Sequence, residues 1–139
     1  MAVSVEARIA DLLLAHLADL TFTPALPIAY PGVSFAPPEG AYLEATLIPN
    51  TNLNRGLGPN DSTQFRGIFQ VTVVAPNNAG IIAPTEMAAK IADHFERGTA
   101  ITDGTLRVKI DGRPSLAPPI SDTDRMRIPV SVRWHVFAK

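Results

Sequence analysis

Met126-Arg127-Ile128-Pro129-Val130-Ser131-Val132-Arg133-Trp134-His135-Val136-Phe137 is the stretch whose reading decides the fold. Met126, Ile128, Val130, Val132, Trp134 and Val136 fall on one side of it. Arg127, Ser131, Arg133, His135 and Phe137 fall on the other. A strand turns successive side chains to opposite faces, so this alternation predicts a long strand with one buried face. Trp134, the only tryptophan, is expected to anchor the core beneath it.

Working outward from that strand, Phe65 to Ala75 alternates as well, but with apolar residues on both sides. Phe69, Val71, Val73 and Ala75 oppose Ile68, Gln70, Thr72 and Val74, the pattern of a strand in the middle of its sheet. Tyr42 to Ile48 places Leu43, Ala45 and Leu47 on one face, and Thr105 to Ile110 does the same with Leu106, Val108 and Ile110. Asp111-Gly112 is a turn signal after the latter.

Two segments carry the helical period instead. Val5, Ile9, Leu12, Leu13, Leu17 and Leu20 recur every three or four residues, with Ser4 as N-cap and Glu6 in the first turn. Met87, Ile91 and Phe95 form a second stripe flanked by Ala88 and Ala92. Pro84 or Thr85 is the expected start of that helix and Gly98 its left-handed end. The order helix, strands, helix, strands predicts an α+β fold: one domain over residues 1–139, with a mainly antiparallel or mixed sheet and two helices on one face.

Composition narrows the function. Apolar residues make up 46% of the 139-residue chain and charged residues 18%, enough apolar material for a core. The net charge of −1 argues against a protein that grips phosphate backbone, although Arg107, Lys109 and Arg113 are candidates for a small basic patch. No cysteine is present, which excludes disulfides, thiolate metal sites and cysteine nucleophiles. No apolar run approaches the ~18 residues of a membrane span, and the N-terminus lacks the basic region of a signal peptide, so synthesis and use in a cytoplasm, or in a particle assembled there, are expected. The 13 prolines fall between the periodic segments, as stiff connections.

Catalytic and metal chemistry finds no foothold. His16, His94 and His135 sit on three different elements with no nucleophile motif nearby. No zinc-ligand spacing occurs, and Asp122 and Asp124 lie in a Ser-Asp-Thr-Asp-Arg turn that lacks the remainder of a calcium loop; pairing with Arg125 is the expectation there. No phosphate-binding glycine loop is present. Neither catalytic residue nor cofactor nor metal site is therefore assigned, and no membrane or specific nucleic-acid partner is expected.

Residues 49–64 have neither period and are rich in Asn, Gly and Pro. A structureless segment of that length is uncommon in a compact domain and is usually functional. It is read as an exposed loop that orders against a partner, with Asn54, Arg55, Leu57 and Asp61 as its contact residues; a plain surface loop is the alternative.

Four segments, taken in order, resemble a known family: Phe35-Ala36-Pro37-Pro38-Glu39-Gly40-Ala41-Tyr42-Leu43, Gly67-Ile68-Phe69-Gln70-Val71, Ala89-Lys90-Ile91-Ala92-Asp93-His94-Phe95-Glu96-Arg97-Gly98, and Asp124-Arg125-Met126-Arg127-Ile128-Pro129-Val130-Ser131-Val132. The likeness is to the tail terminator-like proteins of long-tailed phages and prophages, of the lambda type. The resemblance implies a non-enzymatic structural protein of the virion tail, assembled in the bacterial host cytoplasm. It also implies a ring, typically a hexamer, at the head-proximal end of the tail tube, which stops tube polymerisation and offers a surface for head joining. The implied partners are other copies of the chain, the tail tube protein and a head-completion or connector protein. A head–tail connector or other minor tail component is the neighbouring alternative; a small soluble binding or regulatory domain is the alternative from another class.

Overall fold

The computed structural model describes residues 4–22, 25–54, 58, 62–77, 80–122 and 124–138, with only the backbone at Asn54. In chain order the elements are α1 (Val5–Ala18), β1 (Ile28–Ala29), β2 (Tyr42–Pro49), β3 (Leu53–Asn54), β4 (Thr63–Pro76), α2 (Ile82–His94), β5 (Ala100–Thr102), β6 (Arg107–Ile110), β7 (Ser115–Leu116), β8 (Ile120–Ser121) and β9 (Arg125–Ala138). The result is the α+β arrangement expected, with one mixed sheet in the order β1-β2-β4-β9-β6-β5.

A ribbon of two long antiparallel strands organises this sheet. β4 and β9 pair without interruption from Thr63↔Ala138 to Pro76↔Arg125. At ~3.4 Å per residue, the 14-residue strands run about 45 Å. Short strands patch each side of it. β2 and then β3 lie along β4, while β6, β7 and β8 lie in turn along β9. Only β1 joins in parallel, beside β2. The outermost strands have two and three residues, and beyond β1 the outer edge of β2 from Ala45 to Pro49 has no strand beside it among the described residues.

Pro129 sits within this ladder without breaking it. The N and C=O of one strand residue point the same way, and the Pro129 carbonyl accepts from Ala117 N–H at 2.9 Å. Its missing N–H therefore faces the patched edge between β7 and β8, not the β4 ladder.

Both helices cover the same face. Ile9, Leu13 and Leu17 of α1 and Ala88, Ile91 and Ala92 of α2 join Phe69, Val71, Val73, Ile128, Val130, Val132 and Val136 in one buried cluster. Ser4 caps α1 as expected, its hydroxyl accepting from Ala7 N–H at 3.1 Å.

Four features depart from the expectations. α2 begins at Ile82, two residues before Pro84, and Ile81 at its N-cap makes no side-chain cap bond. Pro84 then occupies the first turn, where backbone N–H groups lack helical partners and proline loses nothing. The helix also stops early, with Phe95 as C-cap; Gly98, at φ +84°, turns the chain toward β6, where its N–H bonds Ile110 O at 3.2 Å. The segment 49–64 is shorter as a loop than its composition suggests, because β2 reaches Pro49, β4 starts at Thr63, and Leu53–Asn54 pairs with Gln64 and Thr63. Finally, Arg125 bonds not an aspartate but the backbone carbonyls of Gly40 and Pro38, which ties the proline-rich connection to the top of β9.

Candidate assembly surface

The face of the sheet away from the helices is covered only at the end where β9 starts, where Phe35 packs on Tyr42 and Val74 is buried. Its middle is built from rows read directly off the register: Thr46↔Gln70↔Ser131 and Glu44↔Thr72↔Pro129. These side chains are neutral except for Glu44, which is ion-paired with Arg127 one row away; that hydrogen bond raises the Arg127 pKa. A neutral polar face of this kind neither forms a core nor repels a protein partner.

Exposed apolar side chains gather instead at the two ends of the ribbon. At the end where β4 starts stand Ile48, Leu53 and Phe137, with Phe137 50% exposed beside Gln64 in the register. At the other end stand Ile81, Ile82 and Ile120, with Ile82 75% exposed. The charges around them differ in sign. Arg107, Lys109 and Arg133 surround the first end, while exposed Asp122 and Asp124 flank the second.

Beside the first end, Trp134 closes the core under α1. It is buried at 4% exposure, and its indole N–H has no acceptor among the described residues. Its ring lies on Gly67, directly opposite in β4. A Cβ at position 67 would lie 2.9 Å from the indole and 2.7 Å from the Ile48 carbonyl oxygen, so only glycine fits here.

The helices are pinned at three points. Arg8 donates to the Asp103 carboxylate at 2.9 and 2.8 Å, fastening α1 to the β5–β6 turn. Asp103 also accepts from the backbone N–H groups of Leu106 and Thr105; the Leu106 bond, then Arg8, holds its carboxyl well below the usual carboxylate range. Arg113 pairs with Asp93 on α2 at 2.7 Å, so it is not part of a basic patch with Arg107 and Lys109.

The third pin joins the two helices to each other. The rings of His16 and His94 stack with centroids 4.1 Å apart. Each Nε2 meets the other residue's backbone carbonyl, at 2.9 Å from His16 and 2.6 Å from His94. A carbonyl only accepts, so both rings carry hydrogen on Nε2. Burial, with help from the neighbouring His16 ring, lowers the His94 pKa. His135 bonds the Asp111 carboxylate at 2.5 Å on the open face. The histidine bonds thus go to two backbone carbonyls and one carboxylate, and no group of three acidic or histidine residues is placed to hold a metal among the described residues. No helix there is long and apolar enough to cross a membrane.

Of the contact residues expected from sequence, Arg55, Leu57 and Asp61 lie outside the described residues, and Asn54 contributes its backbone to β3. The sequence reading overlooked the apolar ends. Ile81-Ile82 carried the signal, two large apolar residues off the α2 stripe at its start.

Comparison with known proteins agrees with this layout. A family model described as phage tail terminator protein matches residues 8–134. One similar solved structure shares 29% sequence identity and superposes with a TM-score of 0.73, over 91% of this chain and 94% of that one. No curated protein matches.

Proposed function

The chain belongs to the phage tail terminator family, and from that premise we propose that it forms a ring, a hexamer, at the head-proximal end of the tail tube, where it stops tube polymerisation and presents the surface to which the head is joined. It is a structural tail protein of a non-enzymatic family. The finer role follows from what a terminating subunit must do. One side of the ring must match the growing tube, and the other must refuse a further tube subunit.

The observation that carries this reading is the unlikeness of the two ribbon ends. Each end exposes large apolar side chains, as a surface that meets another protein does. One is set among cations and the other beside aspartates, so a partner that fits one is mismatched at the other. We place the segment carrying Asn54, Arg55, Leu57 and Asp61 at the contact with a neighbour or with the tube, since β3 and the start of β4 bring its two ends to the cationic end of the ribbon. Removing residues 52–61 is expected to block assembly while β4 keeps β2 and β9 as neighbours and the melting transition persists; unimpaired assembly would refute the contact.

The role itself is tested by deleting the gene in its phage and measuring tail lengths by electron microscopy. Overlong tubes without heads are the expected result. Tails of normal length that fail to join heads would replace termination with a connector role, and normal infectious particles would overturn the proposal.

A further inference from the structure

The sheet has two open edges, and they match each other in backbone and in side chains. Beyond β1, no strand lies beside β2 from Ala45 to Pro49 among the described residues. β5 ends the sheet on the other side, with no strand beyond it there among the described residues. The Leu43 N–H bonds the Pro27 carbonyl on the β1 side. Alternate residues of a strand turn their backbone groups to the same side, so the N–H and C=O of Leu47 also point off the sheet. Continuing β1 would bring Pro31 to the Ala45 carbonyl, but proline has no N–H to give. The chain turns away instead, with Val33 N–H bonded to the Tyr30 carbonyl at 3.3 Å. On the other edge, Ile110 N–H bonds the Thr99 carbonyl at 3.0 Å, so Thr99 and Ile101 face β6 while Ala100 and Thr102 point outward. The side chains agree as well. Leu47 and Ile101 both pack against the buried cluster on the helix side, and Thr46, Ile48, Ala100 and Thr102 are exposed on the other. Four antiparallel pairings separate β2 from β5, so the two strands run the same way.

Resting on the ring reading above, we infer that β5 of one copy joins the open edge of β2 in the next copy, in a parallel pairing that sets Ile101 opposite Leu47. In that register Leu47 N–H donates to the Ala100 carbonyl, and the Leu47 carbonyl accepts from Thr102 N–H. The Ala100 N–H takes the Ala45 carbonyl that Pro31 leaves open. A shift of one residue would set Ile101 against Ile48 of the opposite face and mispair both sets of backbone groups. A shift of two would meet Pro49, which has no N–H, or run into β1. The two edges bound opposite sides of one sheet, so they cannot meet within a copy. Joined between copies they make a heterologous contact, the kind that hands each subunit on to the next and closes into a ring. Rotation about an axis along the ribbon keeps strand direction and keeps the helices on one side, as a parallel joint of this kind requires. The two ribbon ends then stay free for the tube and the head. Strand addition draws its affinity from main-chain bonds, so this contact needs no charged complement.

Paired cysteines in tails test this. The chain has no cysteine, so introduced thiols are its only ones. Facing residues of neighbouring strands lie about 4.8 Å apart, within the reach of a disulfide. In phage lacking the gene, Ile48→Cys/Thr102→Cys protein would be supplied and tails oxidised. A series of covalent multimers from the double variant, and none from either single variant, is expected. Dimers from a single variant would show like edges meeting and overturn the inference, as would the absence of multimers from assembled tails. If the cysteine variants fail to enter tails, Ala100→Pro and Thr102→Pro decide, since each removes one N–H from the joint and none from the β5–β6 pairing. At a urea midpoint near the parent's, either should enter tails about tenfold less well than parent protein supplied beside it. Equal incorporation would overturn the inference. Tail length in the deletion phage is read separately, so termination can stand while this joint falls.

Discussion

The two faces of the one sheet obey different rules. On the covered face, Phe69, Val71, Val73, Val130 and Val132 have no exposed surface, and all five are large or branched apolar residues. On the open face, the same two strands present Gln70, Thr72 and Ser131 between them. Backbone pairing is shared by both faces, so it cannot account for the difference. The fold is held by what the helices bury, and the open face is free to take its composition from outside the fold.

Truncating the covered face should therefore have the largest effect. Phe69 packs its ring 5.6 Å from that of Phe95, where α2 meets β4. Phe69→Ala should destabilise by about 3–5 kcal/mol, the cost of a lost ring and the cavity it leaves. Urea denaturation followed by Trp134 fluorescence measures it. A loss under about 1 kcal/mol would mean that the helical layer can collapse into the gap, weakening the contrast between the faces.

Gly67→Ala should come next. The added methyl meets backbone on one side and the indole of Trp134 on the other, so neither a rotamer change nor a small tilt clears it. Overpacking of this kind costs about 1–3 kcal/mol. Because the indole must shift, the emission maximum of the folded protein should move as well. A stable variant with an unchanged spectrum would show that β2 yields at Ile48 instead.

These residues also mark how far the sequence could be read. The long strands were legible because a period of two, sustained over many residues, has one reading, and Trp134 stood on the apolar side of it. α1 was legible to its cap. The strands β3, β5, β7 and β8 were not, since two or three residues carry no period and their pairing is fixed by the strand they lie against. Pro84 misled by one rule outranking another: proline is favoured at the first helical position, but the whole first turn tolerates it. The His16–His94 clasp joins residues 78 apart and had no local signal. Of the surface, Asn54, Arg55, Leu57 and Asp61 stand out for want of period and Ile81-Ile82 for lying off the α2 stripe, whereas the other apolar end becomes visible only when register brings Leu53 and Phe137 to either side of Gln64, near Ile48.

That clasp sets a smaller effect, and a pH-dependent one. In the unfolded chain His94 takes up its proton near pH 6.5. In the folded protein burial delays that uptake to lower pH, with the like-charged His16 opposing it and Asp19 and the carbonyl bond favouring it. The unfolded state therefore binds more protons in this interval, and stability falls as pH drops through 6.5. Asp103 adds a second decline further down. Its folded pKa lies below the ordinary 3.8, so its contribution is present above that value and is lost as acid protonates the folded carboxylate. Urea midpoints between pH 7.5 and 5.5 should fall in the parent chain and change less in His94→Gln. Parallel slopes would remove His94 as the cause.

The smallest effect on stability, Gln70→Ser, bears most directly on function. Gln70 lies mid-row between Thr46 and Ser131, in the middle of the face away from the helices. Shortening it leaves the buried cluster intact, and surface changes of this kind stay within about 0.5 kcal/mol. If the open face serves only to keep the sheet soluble, assembly should be equally indifferent. If it lies against a neighbouring protein in the tail, the same change should lower incorporation into tails at unchanged melting temperature. A loss of stability equal to that of Phe69→Ala would abolish the distinction between the faces. Unchanged stability with impaired incorporation would sharpen it into a division of labour, one face for folding and the other for assembly.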